Sequence, residues 1–243
     1  FDKPKHEVIG EYVGVLKDSL GVSTVETARI EQLHDLGYLP IRIKALPEGF
    51  WVNAGVPVFT ITNTLPEFYW IVNFLETSLS ANLWKLSTTA TIAANYRLIL
   101  DKWADRTGDP AAVQFQGHDF SYRGMSGSAD AAMAGMGHLL SFMGTDTIPA
   151  IINAKKYYLA GGPVGVSVPA TEHAVMCANG KETEVETFRR LITEIYPTGI
   201  ISIVSDAWDL WKVLTEYVVE LKEDILKRQP NDMGLAKVVF RPD

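Results

Sequence analysis

Apolar residues recur at three- and four-residue spacing through "HEVIGEYVGVL" (6–16), which predicts an amphipathic helix near the start of the chain. A second helix is expected within "GVSTVETARIEQLHDLGY" (21–38), with Ser23 and Glu26 as a capping-box pair and Gly37 as its stop. The period then changes. In "PIRIKAL" Ile41, Ile43 and Ala45 alternate with polar neighbours, and "VPVFTIT" reads as the returning strand beyond the turn-rich "PEGFW". From Pro66 to Trp103 the pattern is again helical and rich in aromatics, with Trp70, Phe74 and Trp84 expected in the core.

After the polar turn "DRTGDPAA" the pattern becomes rhythmic, and the expected division is residues 1–107, helical and mixed α/β, and residues 108–243. Short apolar strands are predicted at "AVQFQ", "LLSFMG", "VGVSVP", "GIISIVS" and "AKVVFRP". Helical stretches lie between them: "SGSADAAMAGMGHLL", "TIPAIINAKKYY", "ETEVETFRRLITEIY" and "AWDLWKVLTEYVVELKEDILKRQ". Strand and helix in alternation argue for parallel strands with helical crossovers, an α/β class. Directly after each predicted strand comes a polar cluster: "HDFSYRG", "TDT", "ATEH", "SDAWD" and "RPD". In a parallel (β/α) barrel the carboxyl ends of the strands share one face, and that face carries the chemistry. Arg123, Asp146, His173, Asp206, Arg241 and Asp243 are thereby expected on one rim. Five strands do not close a barrel, which takes about eight, so the barrel is expected to be incomplete in this chain.

Composition narrows the chemistry. Among 243 residues, 47% are apolar, and 29 acids against 22 bases give a net charge of −7. No block of Lys or Arg forms the basic stripe that nucleic acid or an anionic membrane requires. An anionic ligand would need individually placed basic groups. No apolar run approaches the ~20 residues of a membrane span, so a soluble, cytoplasmic protein is expected. The single cysteine, Cys177, precludes an internal disulfide and is expected to be a small buried hydrophobe in a reducing compartment.

Arg123 and Arg241 suit bidentate binding of phosphate or carboxylate oxygens. Asp206 and Asp243 suit Mg²⁺ held through water, or sugar hydroxyls. Phe120 shares a loop with Arg123 and offers a stacking face. Together they suggest a phosphorylated sugar beside an aromatic partner. There is no Gly-x-Ser-x-Gly elbow and no paired-His zinc spacing, and His118 and Asp119 lack the His-x-His strand of metal-dependent barrel hydrolases. His118 reads as an orienting residue and His138 as a packed one. Asp146 stands between two threonines at a strand-to-helix junction, where it is either a working group or a helix cap bound to its own backbone.

The segments "LPIRIKALPEGFWV", "HDFSYRG", "GTDT", "SVPATEH", "VSDAWD" and "FRPD", in this order and at these separations from about Leu39 to Asp243, closely resemble the nicotinamide phosphoribosyltransferase family, of the type II phosphoribosyltransferases. The resemblance implies a (β/α) barrel-type fold shared with nicotinate and quinolinate phosphoribosyltransferases. It also implies condensation of nicotinamide with phosphoribosyl pyrophosphate to nicotinamide mononucleotide and pyrophosphate, for NAD salvage.

Residue by residue, the resemblance implies that Phe120 stacks on nicotinamide and Asp146 accepts the carboxamide NH₂ while repelling the carboxylate of nicotinate. Arg123 is similar to a pyrophosphate-side arginine, and His173 to a histidine whose phosphorylation couples to ATP hydrolysis. Arg241 resembles the residue directed at the carboxamide oxygen and the phosphates. Asp243 is similar to the ribose and metal ligand, with Asp206 beside it. Mg²⁺ is the implied metal, and ATP an energy-coupling co-substrate. The implied assembly is a homodimer, with an aromatic from the partner subunit on the other face of the nicotinamide, or a complementing second chain. The family's N-terminal segment and later barrel strands have no counterpart in these residues, so the chain is expected to be an incomplete copy. The rival expectations are a nicotinate-using enzyme, against which "GTDT" argues, and a non-catalytic or split subunit.

Overall fold

The computed structural model describes residues Phe1–Asp243. The chain is mixed α/β and divides into two compact units, residues 1–165 and 166–243. Position 107, the expected domain boundary, is the last residue of a long helix inside the first unit.

The first unit opens with α1 (Lys5–Leu20) and α2 (Ala28–Leu36), each closed by a left-handed glycine, Gly21 and Gly37. α2 begins later than the Ser23/Glu26 pair predicts. Its first turn is tied instead by the Thr27 hydroxyl, which donates to Glu31 Oε1 at 2.7 Å. β1 (Ile41–Ala45) and β2 (Phe59–Asn63) form the expected antiparallel ribbon, with Ile41 opposite Asn63 and Ala45 opposite Phe59. Phe68, Trp70 and Ile71 are buried against Ile30, Leu33 and Leu36 of α2.

α3 (Ile71–Thr107) then runs for 37 residues. Trp70 at its start is 8% exposed, as expected, but Phe74 is 68% exposed and Trp84 58% exposed, which overturns their assignment to the core. A helix this long carries apolar residues around its whole circumference, while one stripe suffices for its neighbours.

That stripe meets α4 (Ser128–Leu139), whose buried face is small: Ala131, Ala132, Ala134, Gly135 and Gly137. A Cβ on Gly137 would lie 2.6 Å from the Leu86 carbonyl of α3, and one on Gly135 would lie 2.5 Å from Ala150 Cβ of α5 (Ile148–Tyr157). Hydrogen side chains at these two positions let α4 sit close between its neighbours. Under this helical layer lie β3 (His118–Asp119) and β4 (Gly144–Thr145), parallel, with His118 opposite Gly144 and Asp119 opposite Thr145.

Both strands are shorter and later than predicted. "AVQFQ" falls mostly in a 3-10 helix, Pro110–Phe115, because Asp109 accepts from the Ala111 N–H and Pro110 supplies a preset first turn. "LLSFMG" is the end of α4 and a turn until Gly144.

In the second unit β5 (Ile201–Val204) is fully buried and pairs in parallel with β6 (Val238–Arg241), Val204 opposite Arg241. "VGVSVP" forms no strand; a single parallel bridge from Ala170 to Ser202 marks the other side of β5. Ile201, Ile203 and Val204 pack with Met176 of α6 (His173–Cys177), Phe188 of α7 (Glu184–Arg190), Leu191, Ile192, and Val213, Tyr217 and Leu221 of the helical run after β5. That run comprises α8 (Leu210–Lys212), a π-helical turn Val213–Tyr217, α9 (Val218–Glu220) and α10 (Lys222–Leu226). Cys177 is exposed, against expectation, because Met176 takes the inward position of so short a helix. The strands form an antiparallel ribbon and two parallel pairs, and no closed barrel is present.

The approach to β5 depends on a buried cation. The Arg228 guanidinium donates to the carbonyls of Ile192 at 2.6 Å, Gly199 at 2.9 Å, and Tyr196. Its burial works against the charge and lowers its pKa. Each buried acceptor left unpaired costs about 1–3 kcal/mol. Arg228→Ala is therefore expected to lower the unfolding free energy by about 3 kcal/mol in urea denaturation. A loss under about 1 kcal/mol would show that these carbonyls find other partners.

Candidate functional site

Parallel pairing places the residues just past each strand end side by side. Phe120 follows Asp119 and Asp146 follows Thr145, so the two stand at matched positions beyond β3 and β4. The junction is locked by backbone: the Asp146 N–H donates to the Asp119 carbonyl at 2.9 Å. Asp119, which is buried, turns the chain by accepting the Ser121 N–H on Oδ1 at 2.8 Å. Thr145 Oγ1 accepts the Thr147 N–H at 3.0 Å and starts α5.

His118 joins these groups. Its ring stacks on Phe120 with centroids 4.4 Å apart and planes at 27°. Its Nε2 lies 3.3 Å from Asp146 Oδ1, within ion-pair reach but outside hydrogen-bond alignment. The room for this ring comes from Gly144, where a Cβ would stand 2.8 Å from His118 Nδ1. His138 is packed as expected, its Nε2 2.9 Å from the Gly144 carbonyl and its ring stacked on Phe142 at 5.3 Å. Half of the Phe120 surface remains exposed. Arg123 stands exposed in the 3-10 turn Ser121–Gly124, close in sequence to this cluster but in no ion pair.

The second unit repeats the device. Past the Ala170 bridge come Thr171 and His173; past β5 comes Asp206; past β6 comes Asp243. Since Val204 pairs with Arg241, Asp206 and Asp243 are again at matched positions. His173 Nε2 lies 3.0 Å from Asp206 Oδ1, and the Asp243 N–H donates to Asp206 Oδ2 at 3.0 Å. His173 Nδ1 is 3.8 Å from Asp243 Oδ2. Asp206 is held below the usual carboxylate range, first by the Asp243 backbone N–H and then, against some desolvation, by His173. An ionised carboxylate only accepts, so Nε2 of His173 carries the proton between them.

Thr171 was not singled out from the sequence, yet it organises this end. Its carbonyl accepts from Arg241 Nη2 at 2.7 Å and its buried hydroxyl accepts the Val204 N–H at 3.0 Å. The available signal was its place in "ATEH", a polar residue at a position the strand ends keep out of water. No three His, Cys, Asp or Glu side chains converge as a metal cage, and both Asp206 oxygens are already engaged. Such a donor set fits a hydrated hard cation met through water or phosphate oxygens.

The sequence model of the nicotinate phosphoribosyltransferase (NAPRTase) family matches residues 115–243, which include every residue of both clusters. The chain belongs to the NAPRTase family. It is 59% identical to a protein of Acinetobacter baylyi (strain ATCC 33305 / BD413 / ADP1) named nicotinamide phosphoribosyltransferase, over 100% of this chain and 48% of that protein. Proteins of the same name from Mycoplasma pneumoniae and Xanthomonas campestris pv. campestris are 38% and 37% identical, over 84% and 85% of this chain and 42% and 43% of their own lengths. This NAPRTase-family chain thus spans about half the length of the curated relatives it matches. No helix is long and apolar enough to cross a membrane.

The depressed pKa of Asp206 makes a signed prediction. A carboxyl whose folded pKa lies below its unfolded value adds stability above that unfolded value and loses it as pH falls through the folded one. Urea midpoints should therefore drop on acidification below about pH 4, and Asp206→Asn should flatten that acid arm. Parallel acid arms for the two proteins would remove Asp206 from the account.

Proposed function

We propose that the protein of which this chain is part transfers the phosphoribosyl group of phosphoribosyl pyrophosphate to nicotinamide, giving nicotinamide mononucleotide and pyrophosphate. The reading rests above all on Phe120 and Asp146 standing at matched positions past paired parallel strands, with His118 against both. A half-exposed ring beside a carboxylate suits a flat heterocycle bearing an amide: the ring stacks and the carboxylate accepts the amide N–H. The names of the relatives add to it. In this reading the remainder of the protein completes the (β/α) barrel-type fold of the family.

The chemistry needs no general base. The pyridine nitrogen lone pair forms the bond to C1′ of the ribose, the C1′–O bond breaks, and its electrons leave with pyrophosphate, so no proton moves. The residues contribute position and charge. Phe120 holds the ring plane and Asp146 the amide. Arg123 binds pyrophosphate oxygens. Arg241, steadied by Thr171, meets the phosphates. His173, with its Nε2 proton committed to Asp206, contacts phosphate rather than acting as acid or base. Asp243 and Asp206 face ribose hydroxyls and, through water or pyrophosphate, Mg²⁺. That ion, when bound, neutralises the departing charge. ATP belongs to this proposal as an energy-coupling co-substrate acting at His173, as do a cytoplasmic location and a homodimer or complementing second chain.

Use of nicotinate, the base in the family's name, is the second reading, and Asp146 opposes it because a carboxylate repels a carboxylate. A hydrogen bond to a charged group contributes about 1.5–3 kcal/mol. Asp146→Ser in the full-length protein is accordingly expected to lower the ratio of kcat/KM for nicotinamide over nicotinate by about tenfold or more. An unchanged ratio in competition assays would take the amide-reading role away from Asp146.

A further inference from the structure

Within the first cluster, His118 is the group the chemistry leaves unused. Three observations bear on it. Its Nε2 is buried and has no hydrogen-bond partner, although an anionic oxygen, Asp146 Oδ1, is only 3.3 Å away. Its ring is fixed from the other sides, by the Phe120 stack at 4.4 Å and by the backbone at Gly144, where a Cβ would come within 2.8 Å of Nδ1. Behind it a cavity of about 340 Å³ is lined by α3 and α4, which bring Tyr96 and His138 but no acid or base of full charge. Asp146 is thus the charged group within reach of Nε2.

Buried polar atoms are nearly always paired, and an exception calls for an explanation. Long, poorly aligned hydrogen bonds at such sites tighten when substrate binds. We propose that His118 is a positioning residue that selects the amide: its Nε2–H closes on Asp146 Oδ1 when the base binds, turning the other carboxylate oxygen toward the carboxamide N–H while its ring keeps Phe120 parallel to the bound heterocycle. One imidazole then sets both the plane and the polar end of the base clamp. This inference rests on the nicotinamide reading and adds a determinant of its specificity.

The test compares two amide side chains of different reach in the full-length protein. The Gln side-chain nitrogen extends to about the place of Nε2; that of Asn stops short of it. Steady-state kinetics with nicotinamide and nicotinate should show His118→Asn raising KM for nicotinamide about tenfold and lowering the nicotinamide/nicotinate selectivity about tenfold, with kcat altered much less. His118→Gln should keep the selectivity near that of the unsubstituted protein, because it restores the donor. Equal loss in the two variants, or no loss in either, would overturn the inference, since a merely structural ring would not distinguish them by reach. If the unsubstituted protein turns over nicotinamide and His118→Asn keeps its selectivity, His118 alone is excluded. If the unsubstituted protein transfers to neither base, the functional reading falls and this inference with it.

Discussion

Parallel strand pairing is the constraint from which the candidate site follows. In a parallel pair the two chains leave the sheet in the same direction, so residues distant in sequence become neighbours just beyond the last ladder bonds. Phe120 and Asp146 meet this way past β3 and β4, and Asp206 and Asp243 past β5 and β6. The backbone then fastens each meeting: the Asp146 N–H to the Asp119 carbonyl, the Asp243 N–H to Asp206, and the Ser205 N–H to the Arg241 carbonyl at 2.9 Å. Side chains held by backbone geometry need little reorganisation to receive a ligand.

The helical layer makes that pairing possible in the first unit. β3 and β4 are two residues each and contribute few ladder bonds of their own. Their register depends on α4 seated between α3 and α5, and α4 reaches that depth because Gly135 and Gly137 present no side chain. Gly117 has the same relation to Phe142, whose ring would lie 2.6 Å from an added Cβ. In the second unit a conventional apolar core around β5 does this work, with Arg228 fastening the turns that lead into the strand. Short strands over small-residue packing and a longer buried strand over large apolar groups reach the same result by different means.

Much of this organisation was legible in the residues. The alternation of "PIRIKAL" and "VPVFTIT" identified the ribbon, and the apolar runs "GIISIVS" and "AKVVFRP" identified the parallel pair of the second unit. The polar groups following these runs marked the candidate residues because loop polarity at successive strand ends is a positional signal. What was not legible has physical causes. "AVQFQ" has a strand's composition, but the Asp109–Pro110 start commits it to a 3-10 turn. Exposure of Phe74, Trp84 and Cys177 depends on which helical stripe finds a neighbour, which local pattern does not encode. Thr171 and the His118 contacts arise from strand register and from the room left at Gly144, so they emerge only in three dimensions.

The central claim is that the first cluster receives a pyridine carboxamide, ring on Phe120 and amide on Asp146. A crystal structure of the full-length protein with nicotinamide bound tests it most directly. The account predicts the ring lying flat against Phe120, with the carboxamide nitrogen at hydrogen-bond distance from an Asp146 oxygen. A ring bound elsewhere, or a carboxamide turned away from Asp146 toward solvent, would contradict it.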